Sequence, residues 1–230
     1  MRELLLVRYG EIFLKGQNRP VFMRALVKRV KRAVQDLDAT VYLNDSRIFV
    51  TDYSDQDEAI RKVTKGFGVH SVCPAIEMPK EDFDAVAAQA VAMMADLRGT
   101  FKVTARRSDK RYPLDSPAIN GQIGHRVLVA NKNLSVDVKN PDHVMNVEIR
   151  DHAYLYVKVV PAVGGMPVGT NGRATLLLSG GIDSPVAGWM IAKRGVQINA
   201  VHFHSYPYTS DRAKEKVLDL ARKLSFSCCG

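Results

Sequence analysis

The alternation of apolar and polar positions predicts short strands and amphipathic helices in a ferredoxin-like order over the first third of the chain. Strands are predicted at 3–8, 40–43, 47–52 and 69–77. One helix is expected to begin at a cap on Asn18, with Pro20 near its start and apolar residues at helical spacing as far as Leu37. A second is expected at 55–65, opened by Ser54. The order β-α-β-β-α-β is the ferredoxin-like plan.

The middle of the chain predicts a further α+β module. Helices are expected at 81–97 and from Ser116 to about 129, and strands at 100–106, 134–138, 144–150 and 153–160. The stretch that follows, 161–172, contains four glycines and two prolines and is predicted to be a linker.

The last part predicts one βαβ unit of a parallel sheet. Thr175 to Leu178 form an apolar run that predicts a buried strand. A helix at 185–194, Gly195 as its C-cap and a strand at 196–203 complete the unit, and another helix starts near Ser210. We therefore expect an α+β N-terminal part followed by the start of an α/β doubly wound domain.

The turn of this unit, SGGIDSP at 179–185, has the chemistry of an anion site. Gly180 and Gly181 allow close approach of a ligand and φ > 0 where needed, and Asp183 or Ser184 can cap the helix that follows. Free N–H groups at a helix N-terminus after a strand bind phosphates well. The turn is not a Walker A loop, since GxxxxGK[ST] is absent. The alternative is a glycine-rich turn with no ligand.

The charge of the chain indicates a polyanionic partner. Net charge is +9, and residues 1–35 carry nine Lys or Arg against two Glu. A second basic cluster covers 98–112, where one tyrosine could stack on a base. A solvated basic face is the alternative. The candidate RNA contacts are Lys15, Lys28, Arg29, Lys102, Arg106, Arg107, Lys110, Arg111 and Tyr112.

The remaining bulk features favour a cytoplasmic protein. Three cysteines form no disulfide or metal pattern, so we name no metal ligand, and no apolar run has the length of a membrane span. Only 58 residues follow Gly172, whereas a doubly wound domain needs about 100–150. We expect the chain to be a C-terminally truncated fragment, or its last residues, SFSCCG, to be out of register.

Four stretches of the sequence resemble known families. SGGIDS at 179–184 resembles the PP-loop of ATP pyrophosphatases, and TFKVTARRSDKRYPLDSPAINGQIG at 100–124 resembles the RNA-binding THUMP domain. Together with YGEIFLKGQNRP at 9–20 and AVHFHS at 200–205, the chain from Met1 to about Leu224 resembles the tRNA uracil 4-sulfurtransferase (4-thiouridine synthetase) family. The domains expected are ferredoxin-like 1–54, THUMP 55–160, linker 161–172 and PP-loop 173–230.

The resemblance implies a function, cofactors and partners. ATP, with Mg²⁺, would adenylate O4 of uridine 8 in tRNA, and an enzyme persulfide charged by a cysteine desulfurase would displace AMP to give 4-thiouridine. A link to thiamine thiazole synthesis is also implied. The residues that would meet the nucleotide are Leu177, Leu178, Ser179, Gly180, Gly181, Asp183, Ser184, His202 and Phe203. His202 could equally be a plain strand-end histidine.

Several alternatives stay open. The sulfur-carrying cysteine of the family would lie beyond the end of this chain, so we assign no catalytic residue and expect this chain alone not to thiolate tRNA. Another PP-loop tRNA-modifying enzyme, a THUMP methyltransferase and an RNA-binding fragment without nucleotide chemistry are the rival functions. An exposed partial sheet would favour a homodimer.

Overall fold

The computed structural model describes residues 1–108, 110–205, 208 and 210–228. Asp109 of the basic cluster and Cys229 near the end of the chain lie outside these ranges. The strands are β1 Arg2–Tyr9, β2 Thr40–Asn44, β3 Arg47–Thr51, β4 Val69–Met78, β5 Gly99–Arg107, β6 Leu134–Val136, β7 His143–Ile149, β8 Ala153–Tyr156, β9 Val160–Pro161, β10 Arg173–Leu177 and β11 Gln197–Val201. The helices are α1 Arg19–Ala33, α2 Gln56–Thr64, α3 Phe83–Met94, α4 Ser116–Ala130, α5 Asp183–Lys193 and α6 Asp211–Cys228, with a 3₁₀ helix at Glu11–Asn18.

The chain divides into two compact units. The first comprises residues 1–6, 44–46 and 73–159. Its sheet runs in the order β4-β8-β7-β5-β6, with β5 parallel to β7 and β8 antiparallel to both of its neighbours. Helices α3 and α4 pack together over fully buried Phe101, Ile123 and Val147. The apolar stripes of both helices therefore form one core with the inner face of the sheet.

The second unit comprises residues 7–43, 47–72 and 160–230. It contains α1, α2, the paired strands β2 and β3, and the last residues of β1. It also contains β10 and β11, which are parallel in the register Arg173↔Gln197 to Leu177↔Val201 and are connected through α5. In chain order the first elements are β1-α1-β2-β3-α2-β4, so the ferredoxin-like plan predicted from the sequence is confirmed.

Two helix starts differ from the sequence prediction. Asp55, in extended conformation, caps α2 by accepting from the Glu58 backbone N–H at 3.0 Å, so the cap is not Ser54. Asn18 precedes α1 as expected, but its side chain makes no capping hydrogen bond among the described residues. Its backbone is already helical, because the 3₁₀ helix Glu11–Asn18 leads directly into α1.

The predicted linker is hydrogen-bonded along its length. Val163 N–H donates to Thr64 at 3.1 Å, and Gly164 accepts from Gly68 at 2.9 Å. Further along, Met166 N–H donates to the carbonyl of Lys193 at 2.9 Å. Its backbone therefore joins the end of α2 to the end of α5 inside the second unit.

The strand before the glycine-rich turn is not buried as predicted. Leu178 is 3% exposed, whereas Leu177 is 63% exposed. Leu176 packs against α5 at Gly188. A Cβ on Gly188 would lie only 2.5 Å from Cδ2 of Leu176. The side chains alternate between the face covered by α5 and the opposite, exposed face, so only alternate members of the apolar run are covered.

Candidate nucleotide loop and nucleic-acid surfaces

The glycine-rich turn lies where the parallel strands end. β10 stops at Leu177 and β11 at Val201, and these two residues are paired in the register. His202 and Phe203 therefore follow β11 beside the start of the turn, at the carboxyl edge where open α/β sheets bind ligands. The register thus brings together the nucleotide-contact residues predicted at 177–184 and 202–203.

Two serines close the turn. Ser179 N–H donates to Ser184 Oγ at 2.9 Å, and the two hydroxyl oxygens are 3.0 Å apart. Gly181 N–H points to Ser179 Oγ at 3.3 Å. The loop is therefore held by side chains of its own first and last residues.

This closure corrects the capping prediction. Helix α5 begins at Asp183, and Ile182 occupies the cap position with helical φ −84° and ψ −37°. Among the described residues no side chain caps α5, since the Ser184 hydroxyl is engaged by Ser179. Asp183 is exposed on the first turn. The first-turn N–H groups of α5 are consequently left to face a ligand or water.

The glycines of this segment have different uses. Gly180 and Gly181 do not have positive φ, and a Cβ on either would make only ordinary van der Waals contacts, so neither the backbone conformation nor packing within the described chain requires glycine there. Gly188, whose role the sequence analysis missed, instead allows α5 to approach β10, as its contact with Leu176 demonstrates. A glycine four residues after the turn, on an otherwise apolar helix face, was the available signal.

His202 links the two strand ends. Its Nδ1 lies 2.9 Å from the Leu178 carbonyl oxygen, while Leu178 N–H donates to Val201 O at 2.8 Å. Phe203 is 76% exposed. The side chain of His202 thus contacts the loop, a role that the sequence analysis left open.

The basic residues of the second unit line two neighbouring cavities. The first cavity has a volume of about 800 Å³ and is bordered by α1, α2 and Ser225. The second has a volume of about 430 Å³ and is bordered by α1 and the start of β11. Arg29 and Arg32 border both. The cationic lining residues are Lys28, Arg29, Arg32, Arg61, Lys62 and Lys65. The three from the α2 region were missed by the sequence analysis, since they are far from α1 in sequence.

Acidic neighbours balance part of this charge. Lys62 pairs with Asp36 and lies 3.6 Å from Glu58, which also binds Arg61 at 2.5 Å. Hydrogen bonding from Lys62 lowers the pKa of Asp36, and hydrogen bonding from Arg61 lowers that of Glu58.

Two of the predicted RNA contacts lie over aromatic rings. The Lys15 ammonium is 5.0 Å from the centre of the Phe22 ring, and the Arg29 guanidinium is 6.0 Å from that of Phe67.

In the first unit, Arg107 and Tyr112 organise the basic loop. Arg107 donates to the carbonyls of Lys110 at 2.9 Å and Tyr112 at 3.2 Å. Tyr112 donates its hydroxyl to Lys80 O at 2.9 Å, and burial, followed by the charge of Glu81, raises its pKa. These contacts hold the loop.

The other basic side chains of this loop project outward. Arg106, Lys110 and Arg111 are exposed, and Lys102 is half-buried. Arg111 and Tyr112 border a cavity of about 480 Å³ with Phe83 and Leu114.

None of the helices in the described ranges has the length and apolar character needed to cross a bilayer.

The comparisons with known proteins agree with this architecture. Three family models match: the ThiI ferredoxin-like domain over 4–73, the THUMP domain over 75–158, and "Thiamine biosynthesis protein (ThiI)" over 169–228. A "Probable tRNA sulfurtransferase" of Acetivibrio thermocellus is 49% identical over 99% of this chain and 60% of its own length.

Two solved structures are similar in fold. A 4-thiouridine synthetase–RNA complex with bound ATP is 38% identical, with TM-score 0.84 over 98% of this chain and 60% of that one. The protein PH1313 of Pyrococcus horikoshii Ot3 is 30% identical, with TM-score 0.86 over 98% and 75% of the two chains.

Fold and loop together define a protein in which ferredoxin-like and THUMP domains are followed by the start of a PP-loop domain. More narrowly, the chain belongs to the tRNA sulfurtransferase (ThiI) family, which confirms the resemblance drawn from its motifs. It spans about 60% of the length of the curated relatives that it matches. The domain boundaries at 54, 160 and 172 and the individual site residues remain predictions.

Proposed function

We propose that this chain takes part in ATP-dependent sulfur transfer to uridine 8 of tRNA, giving 4-thiouridine. The observation that carries the proposal is the serine-closed loop at 179–184, which presents backbone N–H groups at the carboxyl edge of a parallel strand pair. The names of its relatives support it: a probable tRNA sulfurtransferase, and a 4-thiouridine synthetase bound to RNA and ATP.

The reaction consists of three displacements. Uracil O4 attacks the α-phosphorus of ATP, and pyrophosphate leaves. The outer sulfur of a cysteine persulfide then attacks C4, the C4–O4 bond breaks, and AMP leaves with that oxygen. A second thiol finally attacks the inner, cysteine sulfur of the resulting C4–S–S–cysteine adduct, so that the S–S bond breaks, 4-thiouridine leaves and the two thiols end as a disulfide. Adenylation is needed because uracil O4 by itself is a poor leaving group. The persulfide sulfur would come from a cysteine desulfurase.

The loop residues bind and orient the nucleotide in this scheme. The N–H of Gly180 would hold a phosphate oxygen, and so would that of Gly181 in exchange for its 3.3 Å hydrogen bond to Ser179 Oγ, which would stabilise charge as the α-phosphorus is attacked. Leu177, Leu178, His202 and Phe203 would meet the nucleotide through backbone atoms. These assignments rest on the motif and on the placement of all four at the strand ends.

Magnesium fits this site through one carboxylate. Asp183 is exposed on the first turn of α5, and Mg²⁺ is usually held by one or two carboxylates plus substrate phosphates. The part of the chain that the structure describes contains no cluster of three or more metal-ligating side chains. The ion would therefore accompany the nucleotide and neutralise phosphate charge.

Cys73 does not supply the sulfur carrier in the scheme. Cys73 is fully buried in β4, so it cannot meet a desulfurase without unfolding. We assign no catalytic cysteine. A cytoplasmic setting, a homodimer and a second role in thiazole formation for thiamine remain part of the proposal, the last supported by the name of a matching family model.

Nucleotide binding is tested by calorimetry with Mg²⁺ and ATP. The wild-type chain should bind, and Asp183→Ala should weaken binding about tenfold because a metal-facing carboxylate is lost. Asp96→Ala, which removes an exposed carboxylate in the other unit, should bind as wild type. If the wild type bound tRNA but not ATP, the nucleotide chemistry would be refuted and RNA binding would be the function that remains.

Binding of tRNA at the basic cavities is tested by salt dependence. Arg32→Gln with Lys65→Gln removes two lining cations, and Arg24→Gln with Lys31→Gln removes two exposed cations of α1 that line neither cavity. Removal of one cation that neutralises a phosphate should reduce the slope of log K against log salt by about 0.7–0.9. The cavity pair should therefore lower the slope by about 1.5 and the control pair by much less. Equal reductions would mean that only total charge matters.

A further inference from the structure

The ring of His202 completes the hydrogen bonding of a buried peptide at the strand end. Leu178 is 3% exposed and lies one residue beyond β10. Its N–H still donates to Val201 O at 2.8 Å, and its carbonyl faces His202 Nδ1 at 2.9 Å. Buried backbone carbonyls need a hydrogen-bond partner. The His202 side chain supplies that partner at the point where the backbone pairing of the two strands ends.

That carbonyl belongs to the same peptide unit as the first anchor of the loop. The Leu178 C=O and the Ser179 N–H share one planar group, and Ser179 N–H donates to Ser184 Oγ at 2.9 Å. His202 therefore binds the carbonyl end of this peptide group, and Ser184 binds its N–H end. Rotation of this peptide would break both hydrogen bonds and move Gly180 and Gly181.

The hydrogen bond also determines which ring nitrogen is the donor. A carbonyl oxygen only accepts, so Nδ1 carries a hydrogen in this contact. Nε2 is buried and has no hydrogen-bond partner in the described part of the chain, so the ring acts on the loop through Nδ1.

We propose that His202 is a positioning residue for the nucleotide loop. Its Nδ1–H fixes the Leu178–Ser179 peptide, and through Ser184 it fixes the direction in which the loop N–H groups point. The proposal rests on ATP binding at this loop and assigns a separate task to the ring, since the expected nucleotide contacts of His202 run through its backbone. Without the ring the loop would sample more than one arrangement, and ATP would bind only the ordered one.

Two amide substitutions separate the nitrogen atoms of the ring. His202→Asn places an amide N–H near the position of Nδ1, whereas His202→Gln places it near that of Nε2. The Asn variant should bind Mg·ATP within about threefold of wild type. His202→Gln and His202→Ala should lose about three- to tenfold, the effect of one hydrogen bond. His204→Ala, an exposed histidine of the same segment, should match wild type.

Amide hydrogen exchange at Ser179 and Gly181 supplies a readout that does not need the nucleotide. Exchange should accelerate in the Gln and Ala variants and stay slow in the Asn variant. Equal ATP affinity and equal exchange in all variants, or equal loss in the Asn and Gln variants, would overturn the assignment. If wild type fails to bind ATP, the proposed function fails, and exchange alone decides whether His202 orders the loop. The Asn–Gln comparison remains decisive if the Ala variant does not fold.

Discussion

Gly188 offers a sharp test of how closely α5 packs on β10. A Cβ at this position would lie 2.5 Å from Leu176 Cδ2, about 1 Å closer than ordinary van der Waals contact. Gly188→Ala should gain about 1 kcal/mol of helix propensity. Overpacking of a filled site costs about 1–3 kcal/mol. The net expectation is a loss of about 1 kcal/mol, because Leu176 must move before the methyl group fits.

A matched control has the opposite expected sign. Gly121 lies inside α4, and a Cβ there would meet nothing within 4 Å, so Gly121→Ala should stabilise by up to about 1 kcal/mol. Adding Leu176→Val to Gly188→Ala removes the colliding carbon. The double variant should therefore show a favourable coupling of about 1–2 kcal/mol relative to the two single variants.

The assay is urea unfolding followed by two probes. Trp189, the single tryptophan, follows Gly188 directly and packs edge-on against Phe67 at 5.3 Å, so its fluorescence reports on this region. Far-ultraviolet circular dichroism follows the helices of both units together, including α4. If Gly188→Ala stabilised the protein as Gly121→Ala does, the close packing of α5 on β10 would be refuted.

Two further predictions concern the first unit. Glu148 is 2% exposed and binds Arg150 at 2.8 Å and the Tyr156 hydroxyl at 2.9 Å. Glu148→Ala should lower the free energy of unfolding, measured in urea, by about 2–3 kcal/mol, because a buried carboxylate that accepts two hydrogen bonds is lost, although Arg150 keeps its ion pair with Asp45. An effect below about 1 kcal/mol would contradict this. Asp142 accepts from the Thr100 N–H and hydroxyl, both at 2.8 Å, and the backbone bond holds its pKa below the ordinary 3.8. The stabilisation of the folded state by this carboxylate should be complete above about pH 4 and should disappear as the pH falls through the lowered pKa. Asp142→Asn should therefore make the free energy of unfolding less sensitive to acid. An unchanged dependence of this free energy on pH would contradict the prediction.

Most of the elements could be predicted from the sequence because their signals are local. The apolar run at 3–8 and the helical spacing of Ile119, Ile123 and Val127 gave elements close to the observed β1 and α4. Errors occurred where two local signals compete. Ser54 and Asp55 are both good caps, and only the extended backbone of Asp55 and its bond to Glu58 decide between them.

The glycine-rich turn was predicted in position but not in its internal bonding. SGGIDS after an apolar run is a local pattern, so the turn between β10 and α5 was found. That Ser184 binds Ser179 instead of capping α5 depends on the path of the backbone between them, which residue types do not determine. The burial predicted for Thr175 to Leu178 was wrong for Thr175 and Leu177, which are exposed, because burial depends on which face of the strand the helices cover.

The sequence by itself determined the order of the elements, the family and the place of the glycine-rich turn, because periodicity, turn residues and short motifs are properties of neighbouring positions. Only the tertiary structure decided which distant residues meet. It brought Arg61 and Lys65 to the cavity beside Arg29 of α1, and His202 to the carbonyl of Leu178. These contacts depend on packing and strand register, which result from the whole unit folding together.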